Sequence, residues 1–456
     1  MSNLAVVPVV AGAPKRMSTP KRLRVYVAVI GGLAALLLFL GEGTLAGARH
    51  ANKTVGRDAA PSILAAQEIN ADLADLDANV GNLLLGNATH QAAASATIEK
   101  RRVNLTHTLV DAASNITYGD EERGPITEIF DGLGRYLEQM TEARVRQERG
   151  DAPGALQTYR AATALVHDKL LPAAGRLDQA NSRYLDAAYE SERARGGVAE
   201  VFALFIGGLL FVALVHAQSF LRSRMRRRVN LPLLGATAIT AGFTLYLVAA
   251  MGGARDHLRV AKEDAFDTIH WLWKARAIAY DANGDESRYL LDRERQKAHE
   301  GAFAAKVAQL TSRPGASVAE AQAAAKSKTD IGGLFGKELS NITFKGELES
   351  VVDFIGAFAG YYAIDQKIRA AEAGGRHDAA VELAIGTRPD ESNAAFDRFD
   401  QGLGKTIALN RKHFDAEVEE ADASLRVATW VNPLVSIFIA LLAWLGIRPR
   451  LREYAA

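Results

Sequence analysis

The sequence predicts an all-α integral membrane protein with four transmembrane helices and two tandem extracytoplasmic antiparallel four-helix bundles. Three observations carry the prediction. Four windows, 25–41, 201–221, 229–254 and 427–447, hold no Asp, Glu, Lys or Arg, and each is near the ~20 residues a helix needs to cross about 30 Å of hydrocarbon. The segments between them, 43–200 and 255–426, are rich in Ala, Leu, Glu, Gln and Arg with little β-type alternation, a helical composition. The order of apolar span, long polar stretch and apolar span then occurs a second time.

The short flanks predict orientation, because Lys and Arg accumulate on the cytoplasmic side of a span. Residues 1–24 carry Lys15, Arg16, Lys21, Arg22 and Arg24 with no acid; the loop 222–228 carries Arg222, Arg224, Arg226, Arg227 and Arg228, again with none. The tail 448–456 adds Arg448, Arg450 and Arg452 against Glu453. These pieces sum to +12, and since the chain is +1 the remainder sums to −11. The expected arrangement is a multi-pass plasma-membrane protein with both termini and the loop inside and both polar segments outside. The start also spells a signal peptide, with Ala46-Gly47-Ala48 as a small-residue cleavage site; the 17-residue apolar run and the uncleaved span at the matching place of the second half favour an anchor. With no Cys, the outer segments use no disulfides and must be held by helix packing.

Within 43–200, a first helix should continue out of the membrane to Leu85 and stop at Gly86-Asn87, a helix-ending pair. A second should run from about Gln91 to Tyr118-Gly119, and a third from Gly124-Pro125 to Arg149. After the turn Gly150-Asp151-Ala152-Pro153-Gly154 a fourth leads into span two (201–221). Pro61 and Pro172 predict kinks or breaks inside these helices. In 255–426 the plan recurs: Ser114-Asn115-Ile116-Thr117-Tyr118 is matched by Ser340-Asn341-Ile342-Thr343-Phe344, Gly150-Asp151 by the turn at Gly374-Gly375, and Arg176-Leu177-Asp178-Gln179 by Arg398-Phe399-Asp400-Gln401. Landmarks in one order at similar spacing imply a duplication, with Gly- and Pro-broken material added at 313–335. Spans three (229–254) and four (427–447) enclose this second segment; Trp430 and Trp444 at the two ends of span four read as interfacial anchors. Trp271 and Trp273 lie beyond span three, one expected in the core and the other exposed.

The up-down-up-down plan of each half resembles the four-helix-bundle sensor domain of bacterial chemoreceptors and histidine kinases. Here it stops at the membrane, with no kinase and no signalling coiled coil. Residues 272–292, which include Trp273, Tyr280-Asp281-Ala282-Asn283-Gly284-Asp285-Glu286-Ser287-Arg288-Tyr289 and Asp292, together with the paired Ser-Asn-Ile-Thr-Tyr/Phe landmarks, resemble a family of four-span actinobacterial membrane sensors that accompany a glutamine-binding lipoprotein and a soluble Ser/Thr protein kinase. That resemblance implies relay of amino-acid availability from outside to inside. It implies as partners a solute-binding lipoprotein and a cytoplasmic Ser/Thr protein kinase, besides membrane lipids.

Residue by residue, the candidates are modest. Asp281, Asn283 and Asp285 sit at alternating places like the start of a calcium loop, with Asp292 at the twelfth place, but Glu286 occupies the turn-making Gly position and the final Glu is missing; a polar helix is the better reading, with Asp281, Asn283, Asp285 and Arg288 as an outer partner contact if the resemblance holds. Asn115, Thr117, Tyr118, Asn341, Thr343 and Phe344 either close helix ends or form a membrane-distal partner contact. The Arg176/Asp178 and Arg398/Asp400 pairs read as surface salt links. The loop arginines 222, 224, 226, 227 and 228 satisfy the topology rule and are also candidates for lipid contact or cytoplasmic output. No phosphate-binding Gly loop, nucleophile elbow or His-Glu-x-x-His occurs, and the ten His are dispersed. No metal, cofactor, catalytic residue or nucleic-acid partner is expected. The spans lack the ionisable residues of a transport pathway. The expected function is a transmembrane signal relay; the alternatives are a non-switching envelope scaffold and a transporter accessory subunit.

Overall fold

The computed structural model describes residues 17–225 and 229–454. Lys15, Arg16, Arg226, Arg227 and Arg228 lie outside the described residues. Among the described residues every regular element is helical. The first half comprises α1 (Thr19–Lys53), α2 (Ala60–Leu85), α3 (Ala88–Ser114), α4 (Asp120–Glu148), α5 (Ala152–Leu165) and α6 (Leu171–Met225). The second comprises α7 (Leu231–Arg259), α8 (Asp267–Leu291), α9 (Gln296–Leu310), α10 (Val318–Lys326), α11 (Gly333–Ser340), α12 (Glu347–Ala373), α13 (His377–Ile385) and α14 (Ser392–Arg452).

Helix boundaries follow local chemistry. The Asn87 side chain accepts from the backbone N–H of Thr89 and His90, starting α3 three residues earlier than the sequence suggests. Helix α4 starts at Asp120 rather than at Gly124-Pro125, so Pro125 lies inside it. Turn-forming Gly119 and Gly346 adopt φ +71° and +87°, and Gly150 and Gly375 φ +80° and +73°, a region L side chains seldom occupy. The kinks expected at Pro61 and Pro172 take the form of π-helical turns just before them, Thr54–Ala59 and Val166–Leu170. A proline ring crowds the carbonyl four residues back and offers it no N–H, and a widened turn relieves both.

The chain divides into two compact units. The apolar unit holds Arg193–Ala254 with the described parts of Met1–Arg49 and Ala423–Ala456. It draws on the four helical stretches long and apolar enough to cross a membrane. Its interior is built from Leu23, Ile30 and Leu37 of α1, Leu210 and Leu214 of α6, Leu247 of α7 and Ile439 of α14. Large apolar side chains also cover its outside, among them Phe39, Leu245, Val212 and Trp430, the last 73 % exposed. A soluble bundle would carry polar residues there; hydrocarbon is the solvent such a surface fits. The protein is an all-α membrane protein. Inside this unit Asn432 donates through Nδ2 to the Leu38 carbonyl at 3.0 Å and to Glu42 Oε1 at 2.9 Å, and Gly207 leaves no room for a Cβ beside Thr244.

The polar unit contains His50–Glu192 and Arg255–Asp422. Two hydrophobic cores are present. Leu73, Leu105, Ile129, Tyr136 and Leu170 centre the first; Phe335, Phe354, Phe358 and Phe399 centre the second with edge-to-face contacts such as Phe335–Phe358 at 5.1 Å and 81°. Ile63, Leu64 and Ala74 of α2 belong to the second core as well. The two bundles read in tandem from the sequence are thus fused along α2 and α8 into one unit. Both helices are buried around most of their circumference from Ile69 to Leu84 and from Ala275 to Leu290, so neither can be satisfied by its own bundle alone.

Candidate functional site

A network of buried charges occupies the junction of α2 and α8. Arg288, 3 % exposed, is its centre. The guanidinium donates through Nη1 to Asp77 Oδ2 at 3.0 Å, through Nη2 to Asp281 Oδ1 at 2.9 Å and through Nε to Asp285 Oδ1 at 3.2 Å. Asp77, from the first half, also accepts from Thr163 Oγ1 at 2.9 Å and from the Tyr136 hydroxyl at 3.2 Å. Lys306 donates to Asp281 Oδ2 at 2.8 Å and pairs with Asp285.

His167 extends the network. One ring nitrogen faces Asp281 Oδ1 at 2.8 Å and the other the Thr163 carbonyl at 2.9 Å; only the doubly protonated ring can donate to both. Burial alone would pull His167 down, but the bond and charge of Asp281 outweigh it and hold the imidazole above its usual 6.5. Burial raises Asp281 in turn, and His167, Arg288 and Lys306 overcome this to hold its carboxyl well below the usual range. Nearer the outer surface Arg160 of the first half clamps Asp292 through Nε at 2.7 Å.

A second charged group lies alongside. Arg101 of α3 reaches Asp72 at 3.0 Å, Asp75, and the Tyr280 hydroxyl at 2.6 Å. Burial pushes the Asp72 carboxyl up to about 7 despite Arg101, and Asp75 is raised for the same reason. Arg276 holds Asp400 in a two-pronged pair at 2.6 Å for each bond. Beside these groups is a cavity of about 400 Å³ whose walls include Asn82, His90 and Arg101 from the first half and Tyr280, Asn393 and Asp397 from the second. Its size suits a small polar ligand, and ordering either wall would be felt by both halves.

Residues 281–292 continue helix α8 to Leu291 rather than forming a calcium loop. Asp285, Arg288 and Asn283 are buried, so the expectation that they form an outer contact surface is corrected: Arg288 ties α8 to Asp77 of the first half, and Asp285 braces Arg288. Trp271 and Trp273 are both half-buried, under Lys337 and Arg276 respectively. The charged pairs 176/178 and 398/400 do not pair internally; Asp178 faces His270 at 2.9 Å, Arg176 meets Glu128, and Arg398 donates to the Pro389 carbonyl.

The Asn landmarks occupy the same geometry in each half. Asn115 Nδ2 donates to the Asp58 carbonyl at 3.3 Å and Ser62 Oγ at 2.8 Å; Asn341 Nδ2 donates to the carbonyls of Glu263 and Asp264 at 3.0 and 3.2 Å and to Thr268 Oγ1 at 2.8 Å. Both therefore clasp a π-helical turn, Thr54–Ala59 or Val260–Phe266, whose shifted hydrogen bonding frees main-chain carbonyls. Glu122 Oε2 accepts from the N–H of Thr117 and Tyr118, as Glu347 Oε2 does from Thr343 and Phe344. Tyr118 stacks on Tyr184 at 3.8 Å, and Phe344 on His413 at 4.0 Å. These corners sit against the helical turns that follow the apolar stretches, not at the far end of the unit. The expectation of a membrane-distal position is corrected; an even-numbered corner of an up-down bundle returns to the end where the chain entered.

Arg222 and Arg224 end α6 with exposed side chains. Sequence reasoning missed Asp77, Arg101, Arg160, His167 and Lys306. The legible signal was Asp72, Asp75 and Asp77 among the Ala, Leu and Ile of a helix with no base of its own. Neither the curated proteins nor the solved structures contain a match to this chain. Residues 51–190, the polar segment of the first half, match the family model described as the actinobacterial sensor domain.

Proposed function

We propose that the protein is a transmembrane sensor whose polar unit responds to an extracytoplasmic ligand or binding protein and relays that occupancy to a cytoplasmic partner such as a Ser/Thr protein kinase. The carrying observation is that the sensor-domain segment is not free-standing but is locked to the second half by Arg288–Asp77, Arg160–Asp292 and Arg101–Tyr280. Occupancy that shifts one half must strain or move the other. Helices α6 and α14 run without a break from polar sequence through apolar sequence to arginine-bearing ends, and a rigid helix carries such a shift along its length.

Amino-acid availability is the proposed input, received through a solute-binding lipoprotein or directly. The polar cavity between the halves supports direct receipt. The test uses the full chain in lipid nanodiscs, with hydrogen exchange read at the last turns of α6 and α14. Addition of a glutamine-binding lipoprotein with its amino acid, or of the amino acid alone, should alter exchange there. Binding without any change at those turns would favour the non-switching scaffold. Fusion reporters at Gly150 and Gly375 should both give an exterior location; a cytoplasmic signal from either would end the proposal.

A further inference from the structure

Among the described residues of the apolar unit, a cavity of about 390 Å³ opens at the arginine-bearing end, where the end of α6, the start of α7 and the last turns of α14 meet. Two cations line it. Arg222 has no ion-pair or hydrogen-bond partner among the described residues, and Arg450 is held by Glu453 from the next turn. The first turn of α7, a 29-residue helix, forms another wall, and the positive end of its dipole adds to the attraction for an anion. Asn230 fixes this corner by donating Nδ2 to the Gly446 carbonyl at 2.8 Å and accepting from the Leu233 N–H.

Apart from Gln218, the remaining side chains of the walls are apolar. Leu231 is 74 % exposed, and Val229 and Leu445 are exposed as well. They continue outward into the hydrocarbon-facing side chains Leu234 and Leu441. A free phosphate would leave that rim in contact with nothing. A lipid phosphate places its charge at the arginines and its glycerol and acyl chains along the rim, which is the geometry of headgroup sites between membrane helices.

We propose that this cavity is a binding site for the phosphate headgroup of an anionic phospholipid. Full-length protein, delipidated in detergent, is titrated with phosphatidylglycerol, cardiolipin or phosphatidylcholine, and bound lipid is counted by native mass spectrometry. Phosphatidylglycerol or cardiolipin should bind in preference to phosphatidylcholine. Arg222→Gln with Arg450→Gln should weaken anionic-lipid binding about 25-fold, at roughly fivefold per arginine near a headgroup. Arg224→Gln with Arg452→Gln removes the same charge outside the cavity and should change it less than about twofold. Glu453→Gln removes the competing carboxylate and should tighten binding, which keeps the test informative if the double arginine variant fails to fold. Equal losses from the two arginine pairs would reduce the site to general surface attraction and overturn the proposal. Displacement of the lipid by millimolar inorganic phosphate would assign the cavity to a free anion instead.

Discussion

The two halves agree where the backbone needs a partner and differ where the surface is free to change. Asn115 and Asn341 clasp equivalent π-helical turns, and Glu122 and Glu347 cap equivalent corners. By contrast α3 is one helix of 27 residues, whereas its counterpart is split into α9 and α11 around an inserted loop and α10. The π-helical turn Val166–Leu170 likewise has a break at Gly386-Thr387-Arg388-Pro389 as its partner. A freed carbonyl beneath a helix corner costs about 1–3 kcal/mol wherever it occurs, so both halves solve it identically; an added surface loop costs little.

At the junction the halves are complementary rather than alike. With Ser62 and Thr268, and Leu85 and Leu291, as matching points, Asp77 of α2 corresponds to Asn283 of α8, and Asn82 to Arg288. At Asp77–Arg288 the first half supplies the acid and the second the base, and at Arg160–Asp292 the roles are exchanged. Two identical halves would place like charges together; this asymmetry makes the fused unit possible.

The largest effect should come from breaking that complementarity. Arg288→Ala leaves Asp77, Asp281 and Asp285 without their shared cation and should destabilise the polar unit by about 3–5 kcal/mol, seen as a lower melting temperature; Asp77→Ala takes from Arg288 its carboxylate partner in the first half but leaves it Asp281 and Asp285, and should cost less. The double variant should cost less than the sum of the two, since they share one interaction. Additive losses would mean that the network does not join the halves.

Asn115→Ala and Asn341→Ala sharpen the likeness. Each should cost about 1–3 kcal/mol by orphaning carbonyls of a π-helical turn, and the two losses should be similar. A large loss at one and none at the other would show that the shared geometry conceals different roles.

The smallest expected effect is on pH dependence. Asp72 takes up a proton more readily folded than unfolded, with its carboxyl at about 7 instead of 3.8, so its unfavourable charge is relieved as pH falls through 7. His167 is raised by Asp281 despite burial, so its stabilisation is complete below 6.5 and fades as pH rises through its folded value. Both make the polar unit more stable at pH 6 than at pH 8. Asp72→Asn with His167→Gln should flatten the melting-temperature difference between those two pH values; an unchanged difference would place the effect on other groups.

Composition alone determined that the chain is helical and that four stretches suit hydrocarbon, because both depend on residue type averaged over whole windows. The corner positions at Gly119, Gly150 and Gly375 were legible for a local reason: a positive φ selects Gly. Only the tertiary structure decided that α2 and α8 pack together, and with them the partners of Arg288, His167 and Arg101. Asp77 and Arg288 are 211 positions apart, and an acid on one apolar helix carries no mark of the base that will neutralise it. Burial turned residues 281–292 from an apparent surface motif into an internal tie, since unpaired charges inside a protein are too costly to persist and the fold supplied Asp281, Asp285, Arg288 and Asp292 with opposite charges.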